Sequence, residues 1–319
     1  MVRNVVPISP AGPILQVVTS GHNPSGLRSS IPFTPSTTSV PLRRRGLEPA
    51  MKAMDELEGL IGLRRVKDLI FEVAAFCQVQ RYRERAGLKV ENPILHMVFK
   101  GNPGTGKTTV ARIMGRIFKE LGVLEIGHVV EVERADLVGE YIGHTAQKTR
   151  EQIRKALGGI LFIDEAYSLA RGGEKDFGRE CIDCLVKAME DHGRETVFIL
   201  AGYPSEMEMF LQMNPGLRSR FPIQLEFPDY TVEELLAIAR VMFKDRDYYM
   251  TSDAAEVLGA ILRERAAREA VPSNARLVRN IVEKAMRRQA VRLVKRGTFG
   301  RQELVTIGPE EILEAASGA

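Results

Sequence analysis

The run Gly101-Asn-Pro-Gly-Thr-Gly-Lys107-Thr108 constrains the fold of this 319-residue chain more than any other feature. It follows an apolar stretch, residues 95–100, that reads as a strand, and it leads into a helical pattern beginning near Gly106. A G-x-x-x-x-G-K-[ST] spacing in that context is a phosphate loop. Its glycines let successive backbone N–H groups close on an anion, and the positive end of the helix dipole adds to the attraction. Lys107 then reaches the β- and γ-phosphates of a nucleotide, and the Thr108 hydroxyl ligates Mg²⁺. The expected nucleotide-binding residues are therefore Gly101, Asn102, Pro103, Gly104, Thr105, Gly106, Lys107, Thr108 and the adjoining Thr109. ATP and Mg²⁺ are the expected cofactors.

Around this loop the sequence alternates. Residues 129–132, 159–163 and 197–201 are further short strands rich in β-branched residues, separated by helical stretches at 145–157 and 178–191. Such alternation builds a parallel sheet with helices on both faces. Ahead of it, Val66, Leu69, Ile70, Val73 and Phe76 recur at helical spacing, which predicts an amphipathic helix over 63–86. Beyond Pro228 the strands stop. Thr231, followed by Glu233 and Glu234, starts a helix, and two more patterns cover 252–268 and 274–296. In the last, Val278, Ile281, Val282, Ala285 and Leu293 share one face. The expected fold is an α/β P-loop domain over residues 50–228, then a small all-helical lid over 229–319.

Residues 1–49 differ in character. They carry eight of the 16 prolines and scattered apolar residues with no period, and so read as a flexible tail. The tail also explains the net charge of +4: residues 1–47 hold five basic residues and no acidic one, leaving 40 basic against 41 acidic residues elsewhere. A near-neutral body lacks the overall footprint of phosphate-backbone binding. No apolar run approaches the roughly 20 residues that span a bilayer. Pro7, Pro10 and Pro13 interrupt any apolar core of a secretory signal and oppose an amphipathic transit helix. Cys181 and Cys184 form a C-x-x-C inside a helical pattern, with no second pair to complete a zinc site. A reducing cytoplasm fits.

Four further motifs carry chemistry. Ile160-Leu-Phe-Ile-Asp164-Glu165 is an apolar strand ending in two acids. Asp164 can hold the hydrated Mg²⁺, while Glu165 can orient or deprotonate an attacking water, which favours hydrolysis over transfer to a small molecule. In Asn214-Pro-Gly-Leu-Arg218-Ser-Arg220-Phe221, an isolated loop arginine would ordinarily read as a solvated side chain. Its place after the fourth strand favours a finger reaching the ATP of a neighbouring subunit, with Arg220 ahead of Arg218. Asn274-Ala-Arg276 starts the third lid helix, where Arg276 is suited to report nucleotide state to the lid. Tyr141-Ile142-Gly143 suits either a mobile gripping loop or ordinary packing, and the residues alone do not choose.

Taken together these residues resemble the AAA+ ATPases. Across about 55–300 the similarity is to the group of stage V sporulation protein K and the red-type rubisco activases, carried by LVGEYIGHTAQKT at 137–149, GILFIDEAYSLARGGEKDF at 159–177 and NPGLRSRFP at 214–222. The resemblance implies a homo-oligomeric ring, a hexamer, with ATP between subunits. It implies that Tyr141, Ile142 and Gly143 form a central pore loop pulling on a polypeptide, that 171–178 is a second pore-facing loop, and that Ile61 and Gly62 contact adenine. The chain departs from the family at the strand after Asp164-Glu165. There Ala201-Gly-Tyr-Pro204 offers only Tyr203 as a polar sensor, and that role stays unassigned. The run from Arg171 to Gly178 is closer to the sporulation protein than to the activases.

Three function classes follow. An ATP-driven protein remodeller fits the aromatic loop and the near-neutral body. A DNA motor or loader would need a basic pore surface or an appended helix-turn-helix, neither of which is evident. A nucleotide-switched scaffold would have no use for Glu165 and Arg220.

Overall fold

A computed structural model of the chain describes residues 50–90, 93–141, 143–171, 177–268 and 273–317, all within one compact unit spanning residues 41–319. The expected tail, 1–49, lies outside the described residues.

The chain enters through helix α1 (Met51–Gly59) and the long helix α2 (Arg64–Arg85), then forms strand β1 (Met97–Gly101). Helix α3 (Lys107–Glu120) follows the phosphate loop. Next come β2 (Val129–Val132), the short α4 (Arg134–Leu137), α5 (His144–Ala156) and β3 (Ile160–Ile163). A 3₁₀ turn at Ala166–Ala170 precedes α6 (Gly178–His192), β4 (Val197–Gly202), α7 (Pro204–Met213), α8 (Pro215–Arg218) and β5 (Ile223–Phe227). The five strands are parallel, in the order β2-β3-β4-β1-β5.

Every residue of β1, β3 and β4 is buried, as a sheet covered on both faces requires. Strand alternation splits them between two cores. Met97, Phe99, Ile160, Phe162 and Ile199 pack against residues of α1, α2 and α3, such as Leu57, Ile70 and Met114. Val98, Leu161, Ile163, Phe198 and Leu200 pack instead against residues of α5, α6 and α7, such as Ile153, Leu185 and Phe210. This layering holds the ends of β1, β3 and β4 in fixed relation, and the candidate site sits across those ends.

The remaining elements are α9 (Val232–Lys244), β6 (Tyr249–Met250), α10 (Ser252–Arg268), α11 (Asn274–Arg296), α12 (Arg301–Val305), β7 (Thr306–Ile307) and α13 (Pro309–Ala316). Thr231 caps α9 reciprocally: its hydroxyl accepts from Glu234 N at 3.2 Å, and the Glu234 carboxylate accepts from Thr231 N at 2.9 Å. A separate core gathers Phe243, Leu258, Val278, Ile281, Val282, Ala285 and Ile312.

Two expectations need correction. The main sheet has a fifth strand, β5, at the edge beside β1, where the sequence pattern shows only a short apolar alternation. The lid region is not wholly helical either, because β6 and β7 pair in parallel through Tyr249 with Thr306 and Met250 with Ile307. Two-residue strands are too short to carry a period. None of the described helices is long and apolar enough to cross a membrane.

Candidate active site

The phosphate loop leaves the carboxyl end of β1, the usual ligand edge of an open parallel sheet. Lys107 opens α3 and folds back over the loop, its ammonium donating to the carbonyls of Gly101 at 2.8 Å and Asn102 at 2.9 Å. Thr105 braces the turn by donating to Asn102 O at 2.8 Å. Gly104 is obligatory on two counts. Its φ is +75°, and a Cβ there would lie 2.5 Å from Ser273 O and 2.9 Å from Arg276 N. Burial pulls the Lys107 ammonium below its ordinary pKa; Asp164 opposes this, Arg276 adds to it and Asp229 opposes it. Glycine-borne N–H groups, a helix N-terminus and a half-buried lysine form a donor set suited to polyphosphate.

A cleft of about 850 Å³ opens over this loop. Gly101, Pro103, Gly104, Gly106, Lys107, Thr108 and Thr109 form one wall, and Asp164 and Glu165 another. Ile61 closes it from the α1–α2 turn and Arg276 from the lid. The Thr105 hydroxyl bonds within the loop instead, and the Asn102 side chain donates to Asp229. Gly62 lies behind Ile61 with φ +65°, and a Cβ there would collide with the Glu234 carboxylate.

Asp164 follows β3, anchored by its N–H donating to Val132 O at 2.9 Å. Its carboxylate accepts from Glu165 N at 2.9 Å. That bond accompanies a left-handed backbone at Glu165, φ +46°, a conformation that costs a non-glycine residue on the order of 1 kcal/mol. A carboxylate and the Thr108 hydroxyl in one cleft are hard oxygen donors, and a Mg²⁺ carried by phosphates needs only one or two protein ligands. Tyr203, at the end of β4, also lines the cleft, with its ring 6.0 Å from that of Tyr167.

The lid side holds residues that sequence reasoning missed. Asp229 accepts from Asn102 Nδ2, with both oxygens at 2.9 Å, and from Asn274 Nδ2 at 2.8 Å. The Tyr230 hydroxyl donates to Thr105 O at 3.1 Å, and burial, then the Glu234 charge, pushes its pKa up to about 12. Asp229 stands in no recognisable motif. Tyr230 was marked only by the capping residues just after it.

Other expected residues lie elsewhere. Arg220 is outside the cleft, ion-paired with Glu190 and donating to Gly216 O at 2.8 Å. Arg218 ends α8 and is exposed. Tyr141 is 66% exposed, edge-on to His144 at 5.5 Å, just before Gly143 leads into α5. Ile142 and residues 172–176 of the second expected loop lie outside the described residues.

Comparison with known proteins matches the family described as "ATPase family associated with various cellular activities (AAA)" over residues 97–229 and the AAA lid domain over 231–318. The chain is 53% identical to stage V sporulation protein K of Bacillus subtilis (strain 168) over 268 residues, covering 83% of each chain. It is 48% identical to protein CbbX of Cereibacter sphaeroides over 267 residues, covering 82% of this chain and 86% of that one. It is 46% identical to a chloroplastic ribulose bisphosphate carboxylase/oxygenase activase of Cyanidioschyzon merolae, covering 83% and 91%. Among solved structures, the Thermotoga maritima RuvB Holliday junction branch migration motor superposes with TM-score 0.52 at 24% identity, over 83% of this chain and 70% of that one. At that identity the likeness concerns the fold alone.

Proposed function

The chain belongs to the AAA ATPase family, in the group of stage V sporulation protein K and CbbX, and from that premise we propose that it is a ring-forming protein remodeller. In this reading, six copies assemble with ATP between neighbours and thread a protein substrate through a central pore in the cytoplasm.

The observation that carries the reading is the convergence of Lys107, Thr108, Asp164, Glu165 and Arg276 on one cleft while Arg220 stays outside it. The phosphate loop and Lys107 bind and orient the triphosphate. Thr108 and Asp164 would hold Mg²⁺, which would supply positive charge against the phosphates. Glu165 orients the attacking water and accepts its proton. Arg276 reports the phosphates to the lid, and Ile61 with Gly62 receives the adenine. Arg220 of an adjacent subunit offsets charge on the transferred phosphoryl group, a contribution of roughly 10³–10⁵ in rate. Tyr141, Ile142 and Gly143 grip the polypeptide.

The substrate is a protein rather than nucleic acid, since the body beyond residue 47 is near neutral. A role in sporulation is favoured by the 53% identity to the sporulation protein. A rubisco-activase role is the second reading, supported by 48% identity to CbbX and 46% to the chloroplastic activase.

Glu165→Gln tests all of this together, because it should bind ATP, fail to hydrolyse it and retain its client. Purified from the native host with ATP, it is expected to bring along one protein that ADP releases. Rubisco as that protein selects the second reading. Nuclease-sensitive DNA in its place overturns the protein-remodelling reading.

A further inference from the structure

Five polar contacts link the phosphate loop, the junction at Asp229 and Tyr230, and the start of α11, and three of them end on the loop. Asn274 Nδ2 donates to Asp229 at 2.8 Å and to Pro103 O at 3.3 Å, and Asn274 Oδ1 accepts from Tyr230 N at 2.9 Å. Asp229 in turn accepts from Asn102 of the loop at 2.9 Å, and Ala275 N donates to Gly104 O at 3.2 Å. Asn274 is only 2% exposed and has φ +49°. A buried amide in a left-handed conformation persists only when its surroundings over-determine it. The next side chain but one is Arg276, whose backbone N already sits within 2.9 Å of where a Gly104 Cβ would be.

From this we propose that Asn274 and Asp229 are positioning residues for nucleotide discrimination. They fasten the first turn of α11 to the phosphate loop, so that Arg276 is held in register with the loop rather than with the lid core around Val278 and Ile281. The inference rests on the reading of the cleft as an ATP site in which Arg276 faces the phosphates. Its consequence is specific. An arginine registered to the loop separates ATP from ADP by the terminal phosphate. An arginine carried only by the lid would average over lid positions and separate them weakly.

The test is a double-mutant cycle in the hydrolysis-deficient Glu165→Gln full-length chain, with fluorescent ATP and ADP as probes. Asn274→Gly is the informative variant, because glycine accepts φ +49° without strain while losing every side-chain hydrogen bond. Asn274→Gly and Arg276→Ala are each expected to lower the ATP-over-ADP preference about tenfold, the scale of a hydrogen bond to a charged group. The double variant should lose no more than either single one. Asp229→Asn, which keeps the shape and removes the charge, should fall in the same direction by a smaller factor. Equal weakening of ATP and ADP in Asn274→Gly, or additive losses in the double variant, overturns the proposal and reduces the contacts to lid anchorage. Discrimination lost in Arg276→Ala but intact in Asn274→Gly also overturns it, and leaves the ATP reading standing. Tight ATP binding by Lys107→Ala in the same assay overturns that reading itself.

Discussion

Glu190 on α6 holds the Arg220 guanidinium in an ion pair, at the rim of a second cavity of about 880 Å³ separate from the one that Lys107 lines. An arginine so placed stands outside the cleft of its own chain, as the proposed action on a neighbour's ATP requires. Arg220→Ala is expected to bind fluorescent ATP normally while turnover falls about 10³-fold or more. A subunit diluted below assembly that still hydrolyses ATP at the full rate would falsify action in trans.

Lys107→Ala removes the half-buried ammonium that donates to the carbonyls of Gly101 and Asn102. Nucleotide binding is expected to drop by at least about 100-fold, the scale of losing a charge-assisted phosphate contact at roughly 3 kcal/mol. Equilibrium binding measures it directly. Near-normal affinity would show that the loop does not hold the phosphates.

Tyr141 is mostly exposed, and its ring meets His144 edge-on. Because so little surface is buried, Tyr141→Ala should leave thermal stability and basal ATPase within about twofold. Client remodelling should fail. Unaltered remodelling, scored on the protein captured by Glu165→Gln, would return this side chain to a packing role.

His96 supplies a prediction about pH. Burial drives its imidazole down to about 4, where Nδ1 accepts from Phe198 N at 3.3 Å. In the unfolded chain the ring takes up a proton below about pH 6.5, but in the folded protein not until near 4. Unfolding therefore binds protons across that window, so stability falls as pH drops through it and ignores this group above it. The loss should reach about 2 kcal/mol by pH 5. Urea titrations at pH 7.5 and 5 should show the difference shrinking in His96→Gln; an unchanged difference would assign the acid sensitivity to other groups.

The strands β1, β2, β3 and β4 were legible as short, mostly apolar runs between helical patterns, with Lys100 near the end of β1 and Glu131 inside β2. The helices α2, α5, α6, α10 and α11 fall within a residue or so of where the pattern predicts them. β5 was not legible, because Ile223, Leu225 and Phe227 alternate with exposed Gln224 and Glu226 at a sheet edge, which resembles a loop. In the cleft, the phosphate loop and the Asp164-Glu165 pair could be read because each is contiguous and its spacing follows from its chemistry. Asp229 could not. Its partners, Asn102 and Asn274, stand 127 and 45 residues away, and only the folded chain brings the three together. Ile61 came from resemblance alone, and the structure lines the cleft with it.

The register of β1 bears on how the molecule comes into being. Phe99 is flanked by Ala201 on one side and Leu225 on the other, so the strand ahead of the phosphate loop has neither neighbour until residues far along the chain exist. Sheet pairing over such separations is slow, because a long loop must close before any contact rewards it. On the ribosome, Gly101 through Thr108 emerge early yet have no scaffold to shape them, and the partners of Asn102 and Gly104 around Asn274 arrive later still. The contacts that shape this loop are therefore complete only once the start of α11 has been made, late in translation.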